Sequence, residues 1–277
     1  MPLIEVIVLG LVQGLTEFLP ISSTAHLALV PWLFHWQDPG LGFDIALHVG
    51  TLAAILIYFF RNWVQIILQG FGLPAEGDAD LKRNKMLLWL MAVATLPVGI
   101  FGYIFKEQAE TVWRSPTVIA SMMIGVGIVL WICDHVGNRQ KDLAHLTPLD
   151  AILIGLAQAV SIVPGTSRSG ATIAAGLWRN LDRPSAARFS FLLSTPAIAA
   201  AAAKDFYDIY KHEGGIPPEM HVPFLVGILV SGVSGLAVIH FFMEFLRRRS
   251  MNVFVAYRIV FGIIIIALAH FFRYSGG

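Results

Sequence analysis

Apolar and polar positions divide the chain into six long hydrophobic runs and two broken ones. About 20 consecutive apolar residues span a bilayer. Runs of that order fall at roughly 43–60, 86–105, 117–133, 186–203, 222–244 and 253–272. Two further stretches are apolar but interrupted. One is 3–30, which breaks around Glu17 to Ser23; the other is 150–178, which breaks around Pro164 to Ser169. Each half of these is too short to cross alone. The pattern therefore predicts an all-α integral membrane protein with six transmembrane helices and two re-entrant helix hairpins. Irregular backbone at membrane depth is tolerated only where protein buries it or it lines a wet cavity, so the two breaks are where a site is expected.

The two halves resemble each other. The stretch LGLVQGLTEFLPISST (9–24) can be laid on IGLAQAVSIVPGTS (154–167), with a gap that sets Ser23 opposite Ser167, and FDIALHVGTLAAI (43–55) on FSFLLSTPAIAAA (189–201). Each half then holds one hairpin and three spans, about 1–145 and 146–277, in a single membrane domain. Three spans is an odd number, so the second copy is inserted upside down. That is an inverted repeat, with a site expected where the broken elements meet. Basic residues agree with this plan. Arg61, Lys82, Arg83 and Lys85, then Arg139 and Lys141, then Arg179, Arg183 and Arg188, then Arg247 to Arg249, fall in stretches assigned to the inside. The segments 106–116 and 204–221, which carry Glu107, Asp205, Asp208 and Glu219, fall outside, and so do both termini.

Composition narrows the class. Of 277 residues, 56% are hydrophobic and only 13% charged, against about 25% charged in a soluble domain. The net charge of +1 offers nothing to a polyanion, so no nucleic-acid partner is expected. Cys133 is the only cysteine, which excludes a disulfide framework and a cysteine metal site. The N-terminal MPLIEVIVLG has no Lys or Arg before its apolar run and is read as retained rather than as a cleaved signal.

The breaks carry the chemistry. After Pro20 come Ile21, Ser22, Ser23, Thr24, Ala25 and His26; after Pro164 come Gly165, Thr166, Ser167, Arg168, Ser169, Gly170, Ala171 and Thr172. Proline stops the incoming helix and Ser or Thr suits the N-cap of the outgoing one. Two helix N-termini are thus expected to face one cavity, and free N–H groups at such ends bind anions. Arg168 adds a fork of donors suited to phosphate. The phosphate-binding set read this way is Ser22, Thr24, Thr166, Ser167, Ser169, Gly170 and Thr172. The plainer reading makes Arg168 the partner of a buried carboxylate and the hydroxyls ordinary caps. Gln13 and Glu17 share a helical face, and His26 sits three residues after Ser23. Glu17, Ser23 and His26 are types used in proton transfer and nucleophilic attack. Asp44 and His48 share a face of the first span and either line the cavity or cap the helix. Arg188 either faces the site or sits at the inner interface, and Arg258 is read as a packing or interface residue. There is no HExxH, Walker loop or GxSxG elbow, and an acid-phosphatase signature fails at Ala174.

At QGLTEFLPISSTAHL and PGTSRSGATI the chain resembles the undecaprenyl-diphosphatase family, also called the bacitracin-resistance protein family. The likeness covers nearly the whole chain. It implies an enzyme of the bacterial plasma (inner) membrane that removes the terminal phosphate of undecaprenyl diphosphate. The product is the lipid monophosphate carrier of peptidoglycan synthesis. It further implies a divalent cation, Mg²⁺ or Ca²⁺, an active site open to the outer side, and a catalytic or phosphate-binding set of Glu17, Ser23, His26, Ser167, Arg168 and Thr172. Glu17 and Gln13 are the metal positions; many relatives have Glu where this chain has Gln13. The nucleophile stays open between Ser23, His26 and water. The substrate lipid and bilayer lipid are the expected partners, and an oligomer is compatible with the sequence. The rival class is a carrier of an anionic prenyl phosphate, which needs Arg168 and the N–H groups but no acid–base pair.

Overall fold

The computed structural model describes residues 1–37, 39–212 and 215–275. Helices α1 (Leu3–Thr16) and α2 (Ser23–Phe34) form the first hairpin, and α9 (Pro148–Val160) and α10 (Arg168–Trp178) the second. Between them run α3 (Leu41–Tyr58), α4 (Phe60–Gly70), the short α5 (Ala79–Arg83), α6 (Leu87–Ile104), the short α7 (Lys106–Glu110) and α8 (Pro116–Val136). After them come α11 (Arg183–His212), α12 (His221–Leu246) and α13 (Asn252–Ser275). Among the described residues the only β feature is an isolated bridge between Lys141 and Leu181. Five of these helices are long and apolar enough to cross a membrane, and six if α3 and α4 count as one bent span. The protein is thus an all-α, multi-pass membrane protein, as the hydrophobic pattern predicts.

The first predicted span differs in detail. Its helix stops at Tyr58 and the chain turns by 75° into α4. The reason is polarity: α4 carries Arg61, Asn62, Gln65 and Gln69. Gln65 binds the backbone of Asp78, accepting from its N–H at 2.8 Å and donating to its carbonyl at 2.9 Å. Asp78 also pairs with Arg188 at 3.0 Å. Partial burial pushes the Asp78 carboxyl up, but Arg188 and two helix-end amides outweigh it and hold the group below its usual range. Arg188 therefore serves this loop and does not reach the hairpin breaks.

Both hairpins break in the same way. α1 ends at Thr16 with Glu17 as its C-cap, and α9 ends at Val160. The outgoing helices start behind Ser22 (φ 74°) and Ser167 (φ 68°), two non-glycine residues with left-handed backbone. The Ser22 hydroxyl accepts from the Ala25 amide at 3.4 Å, and that of Ser167 from the Gly170 amide at 3.1 Å. Ser22, not Ser23, is therefore the counterpart of Ser167. With that register the stretches 9–22 and 154–167 align without a gap and also superpose Gln13 on Gln158. Gly165, at φ 90°, lies so near α8 that a Cβ would come within 2.2 Å of the Ile119 carbonyl oxygen. The packing also crosses between the halves: α1 lies on α12 and α9 lies on α6. Close approach there depends on small residues; a Cβ on Gly14 would meet the Ser234 hydroxyl at 2.0 Å.

Candidate active site

The two breaks meet. The Ser169 hydroxyl donates to the Leu19 carbonyl at 3.0 Å, tying one hairpin to the other. Beside this junction lies a cavity of about 190 Å³, whose polar walls are Glu17, Ser23, Thr24, His48, Ser161, Ser167 and Arg168. Glu17 is its hub. Its Oε1 accepts from Arg168 Nη2 at 2.8 Å. Its Oε2 accepts from the Ser23 hydroxyl at 2.6 Å and from Gln13 Nε2 at 3.2 Å, and His48 Nε2 stands 3.5 Å from the same oxygen. Arg168 also donates to the Ser190 carbonyl at 3.1 Å. Its fork is therefore divided between a carboxylate and a carbonyl, while its side chain still lines the cavity. A carboxylate buried to 7% exposure is met by a guanidinium and two further donors, Ser23 and Gln13; without them burial would be prohibitive.

The first amides of α2 and α10 complete the polar wall. Those of Ser23, Thr24, Arg168 and Ser169 have no acceptor among the described residues, as the first turn of a helix dictates. They are the donors an anion in this cavity would meet.

Several residues of the predicted phosphate set do other work. Ser22 is a cap, and Gly170 gives its amide to Ser167. Thr166 donates to the Val160 carbonyl at 3.2 Å, and the Thr172 hydroxyl lies 2.6 Å from that of Ser190. None of these four lines the cavity. His26 also stands apart. Its Nδ1 lies 2.7 Å from the Ser22 carbonyl, its Nε2 lies 2.6 Å from the Tyr257 hydroxyl, and its ring stacks on Phe261 at 4.8 Å. Glu17 and His26 are thus not a hydrogen-bonded pair. The imidazole at the carboxylate is His48, held by its Nδ1 to the Asp44 carbonyl at 2.7 Å.

Arg258 carries more than the apolar surroundings of its helix disclose. It is completely buried on α13. Its guanidinium donates to the carbonyls of Pro20 (3.0 Å), Gly165 (3.0 Å), Thr166 (2.9 Å), Met122 (3.2 Å) and Met123 (2.9 Å). The first three belong to the two breaks, so one cation holds both turns. The only signal for this in the sequence is a charge inside a predicted span, where charge is costly and usually functional.

Fold and site together define a multi-pass α-helical membrane protein with a buried Ser–carboxylate–guanidinium cluster between two broken hairpins. Residues 6–264 match the protein family described as bacitracin resistance protein BacA. The chain belongs to that family. It is 44% identical over 268 residues to the undecaprenyl-diphosphatase of Moorella thermoacetica, covering 97% of this chain and 98% of that one. To the undecaprenyl-diphosphatase of Desulforudis audaxviator it is 44% identical over 265 residues (96% and 97%). To that of Gemmatimonas aurantiaca it is 43% identical over 263 residues (95% and 96%).

Proposed function

We propose that the protein removes the terminal phosphate of undecaprenyl diphosphate, with Ser23 as nucleophile and Glu17 as its base. The observation that carries this reading is the 2.6 Å bond from the Ser23 hydroxyl to Glu17, whose other oxygen is fixed by Arg168. A nucleophile, a base within reach and a group that orients the base are the parts nucleophilic catalysis needs. The free amides of α2 and α10 and the Arg168 guanidinium supply positive potential for the phosphoryl oxygens, where phosphoryl transfer gains most. An apolar groove of about 540 Å³ between α8, α9 and α10, walled by Val129, Leu153, Ala157, Ala171 and Ala175, is of the kind that holds a prenyl chain. The test is phosphate release from a polyprenyl diphosphate by purified protein in detergent; retained lipid binding without release favours a carrier instead.

The inverted repeat, the bacterial inner membrane and a site open to the outer face belong to the same proposal. In support, the two breaks share one local geometry and the packing crosses between halves. The orientation is checked by cysteine labelling in intact cells on a Cys133→Ala background. Glu219→Cys is expected to react with an impermeant reagent, and Glu76→Cys only after permeabilisation. The opposite pattern overturns the orientation.

A divalent cation fits the donor set in a limited way. Gln13 has a buried Oε1 with no hydrogen-bond partner, beside the Glu17 carboxylate. No cluster of three or more His, Cys, Asp or Glu suited to a metal is present among the described residues. Glu17 and Gln13 would hold Mg²⁺ or Ca²⁺, with substrate phosphates and water as the other ligands. The cation would neutralise phosphoryl charge there. Gln13→Glu adds a second carboxylate and is expected to lower the Mg²⁺ concentration for half-maximal rate by about tenfold. An unchanged Mg²⁺ titration would place the cation elsewhere.

A further inference from the structure

Hydrolysis of a lipid diphosphate makes two anions, and only one of them is tethered. The lipid monophosphate is held by its prenyl chain. The inorganic phosphate must leave the chamber of about 190 Å³ around Glu17 and Ser23 before the next turnover. Two boundaries of that chamber are unsuited to such traffic. Its α11 wall is Ala197, Ile198 and Ala201. The apolar groove begins at Val160, next to the chamber's Ser161, and among the described residues no charged side chain lines it. An anion that gives up water there without gaining a partner is strongly disfavoured.

A second polar cavity, of about 360 Å³, adjoins the chamber. Thr24 and His48 line both and form the common wall. Pro164, from the other hairpin break, lines the second cavity too, together with Asp44, Ala109 and Arg114. Ala109 and Arg114 belong to the segment 106–116, which the proposed orientation sets on the outer face. Arg114 ends the short turn Val112–Arg114 ahead of α8, and it is exposed. Its side chain makes no hydrogen bond or ion pair with another described residue. Arg168, by contrast, is divided between Glu17 and the Ser190 carbonyl, and Arg258 is committed to five carbonyls. Arg114 is thus a free fork of donors on the wall of a cavity that begins beside the reacting groups. A guanidinium takes a phosphate oxyanion through two parallel N–H bonds. Thr24, in the first turn of α2, offers the same ion a hydroxyl and an amide without an acceptor among the described residues. Asp44 has the opposite sign and works against retention, which suits a passage rather than a store.

We infer that this cavity is a second phosphate subsite, with Arg114 as its binding residue, through which inorganic phosphate leaves the chamber past Thr24. The inference rests on the phosphatase reading. A phosphate oxyanion at Arg114 has two sources, the ion released by hydrolysis and the diphosphate of an entering lipid. The released ion is favoured, because the apolar groove and this cavity share no lining residue. A phosphate tied to a chain in the groove is drawn away from Arg114, and a free one is not.

The experiment is product inhibition of the purified protein in detergent. Inorganic phosphate is added at several concentrations of a polyprenyl diphosphate, for the wild type, Arg114→Gln and Arg114→Lys. Phosphate in the chamber competes with the lipid, and saturating lipid relieves it. Phosphate in the second cavity binds while lipid fills the chamber, so its inhibition persists at saturating lipid. The wild type is expected to show both components. In Arg114→Gln the persistent component should need about tenfold more phosphate, the effect of one charge-assisted hydrogen bond, while the competitive component stays. Arg114→Lys keeps the charge and should fall between the two. Arg114 holds no other described residue in place, so the unfolding temperature, measured alongside, should not move. Purely competitive inhibition of the wild type overturns the inference, and so does a persistent component that Arg114→Gln leaves unchanged. A raised KM for the lipid with unchanged phosphate inhibition assigns Arg114 to the entering diphosphate and overturns it as well. Absence of hydrolysis by the wild-type protein is a different failure, that of the phosphatase reading itself.

Discussion

Glu17→Gln is expected to slow single-turnover phosphate release by at least about 10²-fold, the range in which general acid–base catalysis contributes. The amide keeps the size of the side chain and one oxygen for Arg168, but it cannot take the Ser23 proton. The carboxylate now accepts from Arg168, Ser23 and Gln13 at 2.8, 2.6 and 3.2 Å. Replacing it removes the only negative charge among these partners and releases part of the guanidinium fork. Binding of a polyprenyl diphosphate is therefore expected to survive, since the helix-end amides and Arg168 remain and an anionic neighbour has gone. Phosphate release and lipid binding measured on one preparation separate the two effects. Release at close to the normal rate would remove Glu17 as base and move the carrier reading ahead. Substitution of His26 should look different. Its ring is locked between Ser22, Tyr257 and Phe261, so His26→Gln is expected to lower thermal stability and activity together.

The spans and the two breaks were legible because they depend on long runs of one polarity, and the structure places helix ends within a few residues of those runs, except that α11 continues past its run (186–203) to His212. The broken hairpins were legible for the same reason: a charge and several hydroxyls cannot lie in an apolar run without a turn or a partner. What resisted reading was direction. Glu17, Ser23 and His26 are close in sequence, but the left-handed backbone at Ser22 sends Ser23 to Glu17 and His26 to Tyr257 on α13. No residue type requires positive φ at a serine, so the pattern set the counterpart of Ser167 one position late. Pairing across distant segments was equally hidden. His48 reaches Glu17 from another helix, and Arg168 meets both Glu17 and the Ser190 carbonyl. The plainer reading of Arg168, as partner of a buried carboxylate, describes its contacts; lining the cavity, it also faces the space that the proposed function gives to phosphate.

Arg258→Lys is expected to unseat the site while leaving the charge in place. The guanidinium reaches five carbonyls, two on α8 and three in the hairpin turns. Lysine has three donors on one nitrogen and cannot span both turns from one position. At least two buried carbonyls would lose their partner, and each unmet group costs about 1–3 kcal/mol. The total of roughly 2–6 kcal/mol is large for one substitution. The loss falls on the turns rather than the spans, because the long helices keep their own backbone bonds. The variant should therefore insert normally, unfold at a markedly lower temperature in detergent, and release phosphate far more slowly. Gly127 and Gly170 mark how closely the arginine is fitted: a Cβ at either would lie 3.3 Å from it. Gly170→Ala is thus a milder version of the same change, expected to shift unfolding in the same direction by less. If Arg258→Lys unfolds at the wild-type temperature and turns over normally, the two breaks are held by their own caps and the Ser169–Leu19 bond, and the buried arginine is not what fixes the distance between them.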